Sequence, residues 1–321
     1  MKDLALLVSV VIPVFRNAPS LEELHARIVA AVTAVPETSY EVIYCDDGSD
    51  DDSHGVLQKI HSEDPNAVVV KLSRNFGQHS ANAAAFEHAR GDVVVNMSAD
   101  LQDPPEVITE LINKIVEGND IVLATREKTD ETAFRSFTSW LHYRLVRISL
   151  PTYPTGGFDF WAVNKRAFKA FRAFTDINRR NQIDLLSIGF KVAEISYEKR
   201  KRKHGKSQYN FLKRLDISFS QIFSTATWPM RLAAFFGFLF TVSGFLYALY
   251  LVISFFFRET AQPGWTSVIV IILLVGGINS LMISLMGEYI WRIYYETKQR
   301  PLFFVDTILD RRAGAENDSD A

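Results

Sequence analysis

The sequence predicts an α/β domain with a mostly parallel, Rossmann-like sheet, followed by interfacial helices and two transmembrane helices. Two observations carry this. Up to about Lys206, short β-branched runs alternate with polar helical stretches, the pattern of strand-helix units with helices on both sheet faces. Beyond Trp228 the chain turns apolar, and residues 232–257 and 265–286 contain no charged side chain. At about 26 and 22 residues, each is long enough to span a bilayer.

The first strand is expected over residues 8–14. The apolar N-terminus lacks the small-residue cleavage pattern of a signal peptide, and its β-branched run closes on Pro13. Further strands are expected over 40–45, 68–72, 92–97 and 120–124, with helices over 21–35 and 80–89 among the intervening stretches. No Gly-x-Gly-x-x-Gly or Walker-type loop appears, so two common phosphate cradles are absent. In the 321-residue chain, a formal net charge of -2 gives no support to nucleic acid as a partner. The single cysteine, Cys45, excludes an intrachain disulfide and a cysteine-based zinc site.

Two strand tips carry the chemistry. The second strand runs into Asp46-Asp47-Gly48-Ser49-Asp50-Asp51-Asp52-Ser53. An acidic group at such a tip accepts hydrogen bonds from a ribose hydroxyl or a base N–H. The later members of that run are read as caps of the next helix. The fourth strand stops at Ser98-Ala99-Asp100-Leu101-Gln102-Asp103-Pro104-Pro105, where Asp100 and Gln102 are oxygen donors suited to a hard divalent ion also held by a diphosphate. An ordinary strand-to-helix loop is the alternative, because Pro104 and Pro105 suit a first helical turn.

The order of Ser9-Val10-Val11-Ile12-Pro13, Asp46-Asp47-Gly48-Ser49, Arg74-Asn75-Phe76-Gly77-Gln78-His79 and Ala99-Asp100-Leu101-Gln102-Asp103-Pro104-Pro105 resembles the inverting GT-A (family 2) glycosyltransferases that load sugars onto polyprenyl phosphates. These include the dolichol-phosphate mannosyltransferases and the bacterial bactoprenol-phosphate glycosyltransferases. The resemblance runs from about Ser9 to Pro301. It implies a GT-A nucleotide-diphospho-sugar transferase domain over 1–206. Pro13, Asp46 and Asp47 would lie at the nucleotide and Ser98 at the donor, while Asp100 and Gln102 would coordinate Mg2+ or Mn2+. The usual motif is Asp-Ala-Asp, and Ser98 stands where the first carboxylate is expected.

Gly156-Gly157-Phe158-Asp159-Phe160-Trp161 matches the family segment beside the acceptor. Asp159 would bind sugar hydroxyls or act as a base, its alternative being a plain turn carboxylate. The basic loop Arg200 to Tyr209 matches the family's Arg-x-x-Gly-x-Ser-x-Tyr pattern through Arg202, Gly205, Ser207 and Tyr209, with Arg202 and Ser207 read as contacts to the donor diphosphate or the acceptor phosphate. A lipid-binding basic run is the alternative.

Apolar residues at helical spacing, Phe134 to Ile148 and Phe211 to Phe223, read as interfacial helices, the second within a juxtamembrane segment over 207–231. The hairpin occupies 232–286 and a C-terminal segment follows over 287–321, its end from Ala313 polar and read as disordered. Lys and Arg flank both spans, whereas the turn between them holds only Arg258. The positive-inside rule therefore sets the large domain and both termini in the cytoplasm of a bacterial inner membrane.

The resemblance implies transfer of one sugar, with inversion, from a nucleotide diphosphate sugar to undecaprenyl phosphate at the cytoplasmic leaflet, for lipopolysaccharide or surface-glycan modification. UDP is the expected nucleotide because most bacterial relatives use it. A chain-extending synthase is the alternative, weakened by the lack of Gln-x-x-Arg-Trp. A membrane subunit that binds sugar nucleotide without turnover is another. Asn279, Ser280 and Ser284 offer hydrogen bonds to a neighbouring helix, as in a homo-oligomer.

Overall fold

The computed structural model describes residues 5–126, 151–154, 158–174, 181–199, 264–298 and 300–312, with isolated positions at 144, 147 and between 235 and 253. Eight strands form one sheet: β1 Leu6–Val14, β2 Thr38–Asp46, β3 Ala67–Leu72, β4 Val93–Asn96, β5 Ile121–Arg126, β6 Phe160–Asn164, β7 Val192–Tyr197 and β8 Val305–Leu309. Their order is β7-β5-β6-β4-β1-β2-β3-β8. The pairings β1–β2, β1–β4, β2–β3 and β5–β7 are parallel, while β6 runs against both β4 and β5.

β1 and β4 are central and buried on both faces, which is why they read as continuous apolar runs. One core lies between the sheet and α1 (Ala18–Thr33), α2 (Ser53–Glu63) and α4 (Val107–Val116), with Ile12, Leu24, Ile28, Leu57 and Ile112 fully buried. The other lies under α3 (Gln78–Glu87), α5 (Lys165–Arg172) and α6 (Asn181–Ser187), where Phe86, Trp161 and Phe171 meet at ring separations of 5.5 to 5.7 Å.

The five strands read from the sequence are present with ends shifted by one or two residues, β4 being shorter than the expected 92–97 and β5 displaced from 120–124 to Ile121–Arg126. Not foreseen were antiparallel β6, outer β7 and, above all, β8. This strand pairs antiparallel with β3 from the far end of the chain. Two compact units result, one of residues 1–221 and 301–321, the other of 222–300. Arg312 secures the return. Its guanidinium, 9% exposed, reaches Glu41 at 2.5 Å and Asp310 at 2.5 Å, and donates to the His88 carbonyl at 2.9 Å.

The second unit contains α7 (Trp265–Thr297), 33 residues long. Taken over the described residues alone, no helix is long and apolar enough to cross a membrane. Most of 232–257, the interfacial stretches, Gly156, Gly157, Arg202 and Ser207, and the tail from Ala313 lie outside the described residues.

Candidate active site

β4, β5 and β7 end at one edge of the sheet, and β6, running the opposite way, begins there. Asn96 is opposite Trp161, Ala124 opposite Phe160, and Arg126 opposite Tyr197. The pairings thus collect Ser98, Asp100, Arg126, Asp159 and Tyr197 where open α/β sheets bind ligands.

The loop after β4 is organised by hydroxyl groups and a strained backbone. Leu101 has φ +56°, an uncommon conformation for a non-glycine residue. It separates Asp100 from Gln102, whose backbone N–H donates to Asp100 Oδ1 at 3.1 Å. Ser98 Oγ lies 3.1 Å from the same oxygen and 2.7 Å from Asp103 Oδ2. One hydroxyl proton therefore serves two carboxylates. Asp103 is buried and its other oxygen accepts from the Tyr197 hydroxyl at 2.5 Å. Asp103 lies under the loop, four residues before α4, whose N-cap is Glu106.

Across the edge, Asp159 is clamped. Arg126 donates to its Oδ2 at 2.6 Å and Gln182 to its Oδ1 at 2.7 Å, while Asn96 fixes its carbonyl at 2.9 Å. Burial works against the charge on Arg126, but Asp159, Asp103 and Tyr197 outweigh it and raise its pKa. Burial, with Asp103 beside it, likewise pushes the Tyr197 phenol well up. Lys199, just past β7, is held below the ordinary lysine value by burial and by Arg126, against the pull of Asp103, Asp100 and Asp159. Arg126, Gln182 and Tyr197 were not singled out in the sequence, and Lys199 entered only as part of the basic flank before the first uncharged run. Only the topology brings them to the site.

The nucleotide side is built from β1 and β2. Pro13 is half-buried, one residue from the end of β1 and opposite Cys45. Asp46 and Asp47 are both buried. Asp46 Oδ1 accepts from the Ser49 backbone at 3.0 Å; its Oδ2 has no hydrogen-bond partner among the described residues and lies 3.7 Å from His54 Nδ1. Asp47 accepts from the backbone N–H groups of Phe76 at 2.7 Å and Gly77 at 2.9 Å. Burial raises the Asp47 pKa, and those two donors oppose the shift. Of the later acidic run, Asp50 pairs with Arg16 at 2.5 Å. Asp52 stands at the N-cap of α2 without a capping hydrogen bond from its side chain.

Among the described residues no three His, Cys, Asp or Glu side chains converge as a metal cage. Half-buried Asp100 and Gln102 still fit a hard divalent ion in the way Mg2+ is commonly held, by one or two protein oxygens with substrate phosphates supplying the rest.

Comparison with known proteins agrees with this architecture. Residues 9–172 match the model of glycosyl transferase family 2. The glycosyltransferase YkcC of Bacillus subtilis is 34% identical over 314 residues, 96% of this chain and 95% of that protein. An undecaprenyl-phosphate 4-deoxy-4-formamido-L-arabinose transferase of Pseudomonas fluorescens is 33% identical, covering 96% and 91% of the two chains. Its counterpart in Pseudomonas aeruginosa strain LESB58 is 34% identical, covering 94% and 90%. The crystal structure of mannosyl-3-phosphoglycerate synthase from Rubrobacter xylanophilus superposes at a TM-score of 0.50 with 20% identity, over 70% of this chain and 74% of that one, a likeness of fold. With the family model spanning the sheet from β1 to α5 and relatives alike along nearly the whole length, the chain belongs to glycosyl transferase family 2 and is a glycosyltransferase.

Proposed function

We propose that this glycosyltransferase moves one sugar, with inversion, from a nucleotide diphosphate sugar, UDP-linked by preference, to undecaprenyl phosphate at the cytoplasmic face of a bacterial membrane. The observation that carries the reading is the sheet edge itself. A carboxylate loop around Asp100 faces a charged clamp, Arg126–Asp159–Gln182, with Lys199 in the field of both. The acceptor is supported by the Pseudomonas relatives, which are named for undecaprenyl phosphate and align over 96% and 94% of this chain.

The chemistry asks little acid-base work of the protein. A phosphate monoester is already anionic near neutral pH, its second pKa being about 6. Asp159 then serves as an oriented acceptor for sugar hydroxyls, its two oxygens fixed by Arg126 and Gln182, so that the anomeric carbon is aligned for in-line attack. Asp100 and Gln102 would hold Mg2+ or Mn2+, which supplies Lewis-acid stabilisation of the departing nucleotide diphosphate. Arg202 and Ser207 are assigned to phosphate contacts from their motif.

The membrane reading rests on the uncharged runs 232–257 and 265–286 and on the surface of α7. Val268, Ile271, Ile272, Val275, Ile283 and Met286 are all exposed along it, as suits a helix whose solvent is lipid. The Lys and Arg flanks set both termini on the cytoplasmic side, and the lipid-linked product would supply lipopolysaccharide or surface-glycan modification.

The full chain in detergent, given undecaprenyl phosphate, Mg2+ or Mn2+ and a panel of labelled sugar nucleotides, is expected to form a lipid-linked monosaccharide. Asp100→Asn should lower the rate more than about a hundredfold, since even outer partners of metal ligands cost 10–100-fold. Failure with every donor, or products longer than one sugar, would overturn the proposal.

A further inference from the structure

The loop Arg74-Asn75-Phe76-Gly77, between β3 and α3, belongs to the motif set yet has no part in the chemistry above. Its backbone supplies both donors to the Asp47 carboxylate. It also lies tight against the Asp46-Asp47-Gly48 turn: a Cβ added at Gly48, whose φ is +64°, would come within 2.5 Å of the Arg74 carbonyl carbon. The two loops therefore move together or not at all.

The opposite side of this loop is held by the chain's return from residues 222–300. The Ser73 N–H donates to the Phe304 carbonyl at 2.9 Å. The Phe304 ring lies 6.2 Å from the Phe76 ring, centroid to centroid, and the Arg74 guanidinium stacks over Phe76 at 4.3 Å. Two residues on, Asp306 pairs with Lys71 at 3.2 Å. Phe304 keeps 57% of its surface exposed, which is a poor use of a large aromatic ring if its only task is to bury area. Its contacts instead fix the place of Phe76, and the adjacent Phe76–Gly77 amides fix Asp47.

We propose that Phe304 is a positioning residue for the nucleotide half of the donor site, acting through Phe76 and Gly77 on Asp47. Donor binding is thereby tied to the docking of the C-terminal strand β8. This rests on the reading of Asp46 and Asp47 as nucleotide contacts. Loosening Phe304 lets the 73–77 loop relax and costs Asp47 its two donors. The effect falls on nucleotide affinity, because the residues around Asp100 and Asp159 take no part in the linkage.

The test is titration of the full chain with UDP in the presence of Mn2+, by calorimetry and without lipid acceptor. Phe304→Ala should weaken UDP binding by between about twofold and tenfold, the range of an aromatic pair. Phe304→Tyr should restore it, and Ile308→Ala, elsewhere on β8, should leave it unchanged. In turnover assays, Phe304→Ala should raise the donor KM by a similar factor, with kcat at saturating donor and the acceptor KM unaltered. Asp306→Lys, which sets like charges against each other at Lys71, should weaken UDP in the same direction and serves if Phe304→Ala does not fold. Equal UDP affinity in wild type, Phe304→Ala and Asp306→Lys would overturn the inference while leaving the donor site standing. Absence of UDP binding by the wild type would remove the UDP-site reading and this inference with it.

Discussion

Replacing Ser98 by Asp restores the acidic residue usual at this position in the family, and the structure makes its cost calculable. The serine hydroxyl lies 2.7 Å from Asp103 and 3.1 Å from Asp100, offering its proton to both. Ser98→Asp exchanges that donor for a third carboxylate. Two unit charges about 4 Å apart at an effective dielectric constant of about 20 repel by about 4 kcal/mol. Protonation of one group sets a ceiling of the same size, since lifting a carboxyl pKa from about 4 to about 7 costs about 4 kcal/mol. At about 2–4 °C per kcal/mol for a unit of this size, the variant should melt on the order of 10 °C below wild type in EDTA at pH 7.

A divalent ion reverses the balance. It gains a ligand of opposite charge, and stabilisation by a ligand grows with its affinity for the folded state. The Mn2+-induced rise in melting temperature should therefore be larger for Ser98→Asp than for wild type, read by thermal shift in detergent across a Mn2+ titration. Ser98→Ala separates loss of the donor from gain of charge, with an expected cost of about 1–3 kcal/mol for the buried Asp103 left short of a partner. If Ser98→Asp melts with wild type in EDTA and shows the same Mn2+ shift, the loop does not face the ion and the assignment of Asp100 falls with it.

Two further outcomes follow. Lys199 holds its proton less tightly in the folded protein than in the unfolded chain, through burial and Arg126, so its positive charge is lost below the ordinary value of 10.5. The alkaline fall in kcat/KM should begin beneath that pH, and Lys199→Arg should move it outward; identical profiles would exclude the Lys199 charge from the transfer reaction. Arg312→Met leaves Glu41, 3% exposed, without its cation, and should cost about 3–5 kcal/mol, measured as a lowered melting temperature. Burial opposes ionisation of Asp310, but hydrogen bonds from Arg312 hold its pKa below the usual carboxylate value. That contribution is present at neutral pH and fades as pH falls through the depressed pKa, so the gap between Arg312→Met and wild type should narrow in acid.

Strands β1 to β5 were legible because each is a short β-branched run buried from both sides. β6 escaped notice because Phe160–Asn164 reads as part of a motif, and no local pattern encodes its antiparallel direction. β8 escaped for a different reason. Val305–Leu309 is exposed along most of its length and finds its partner only through contact with β3, which no local pattern encodes. The same division holds at the site. Asp100, Gln102 and Asp159 stand in contiguous motifs. Arg126 and Tyr197 are single residues in unremarkable contexts, made neighbours by the β5–β7 register. Asp103 was visible but not its purpose, because one of the two hydroxyls that claim it, that of Tyr197, lies 94 residues away.

The late position of β8 also bears on how the protein is made. Arg312 and Glu41 lie 271 residues apart, so the ribosome must make all the residues between them before the sheet can close. Throughout that interval the outer edge of β3 presents unpaired backbone groups, a template for association with other nascent chains. At about 5–20 residues per second the exposure lasts on the order of 10–50 s. The unit over 222–300 is synthesised before the strand that seals this edge, so a chain stalled within that unit is also a chain whose β3 edge is still open to other strands.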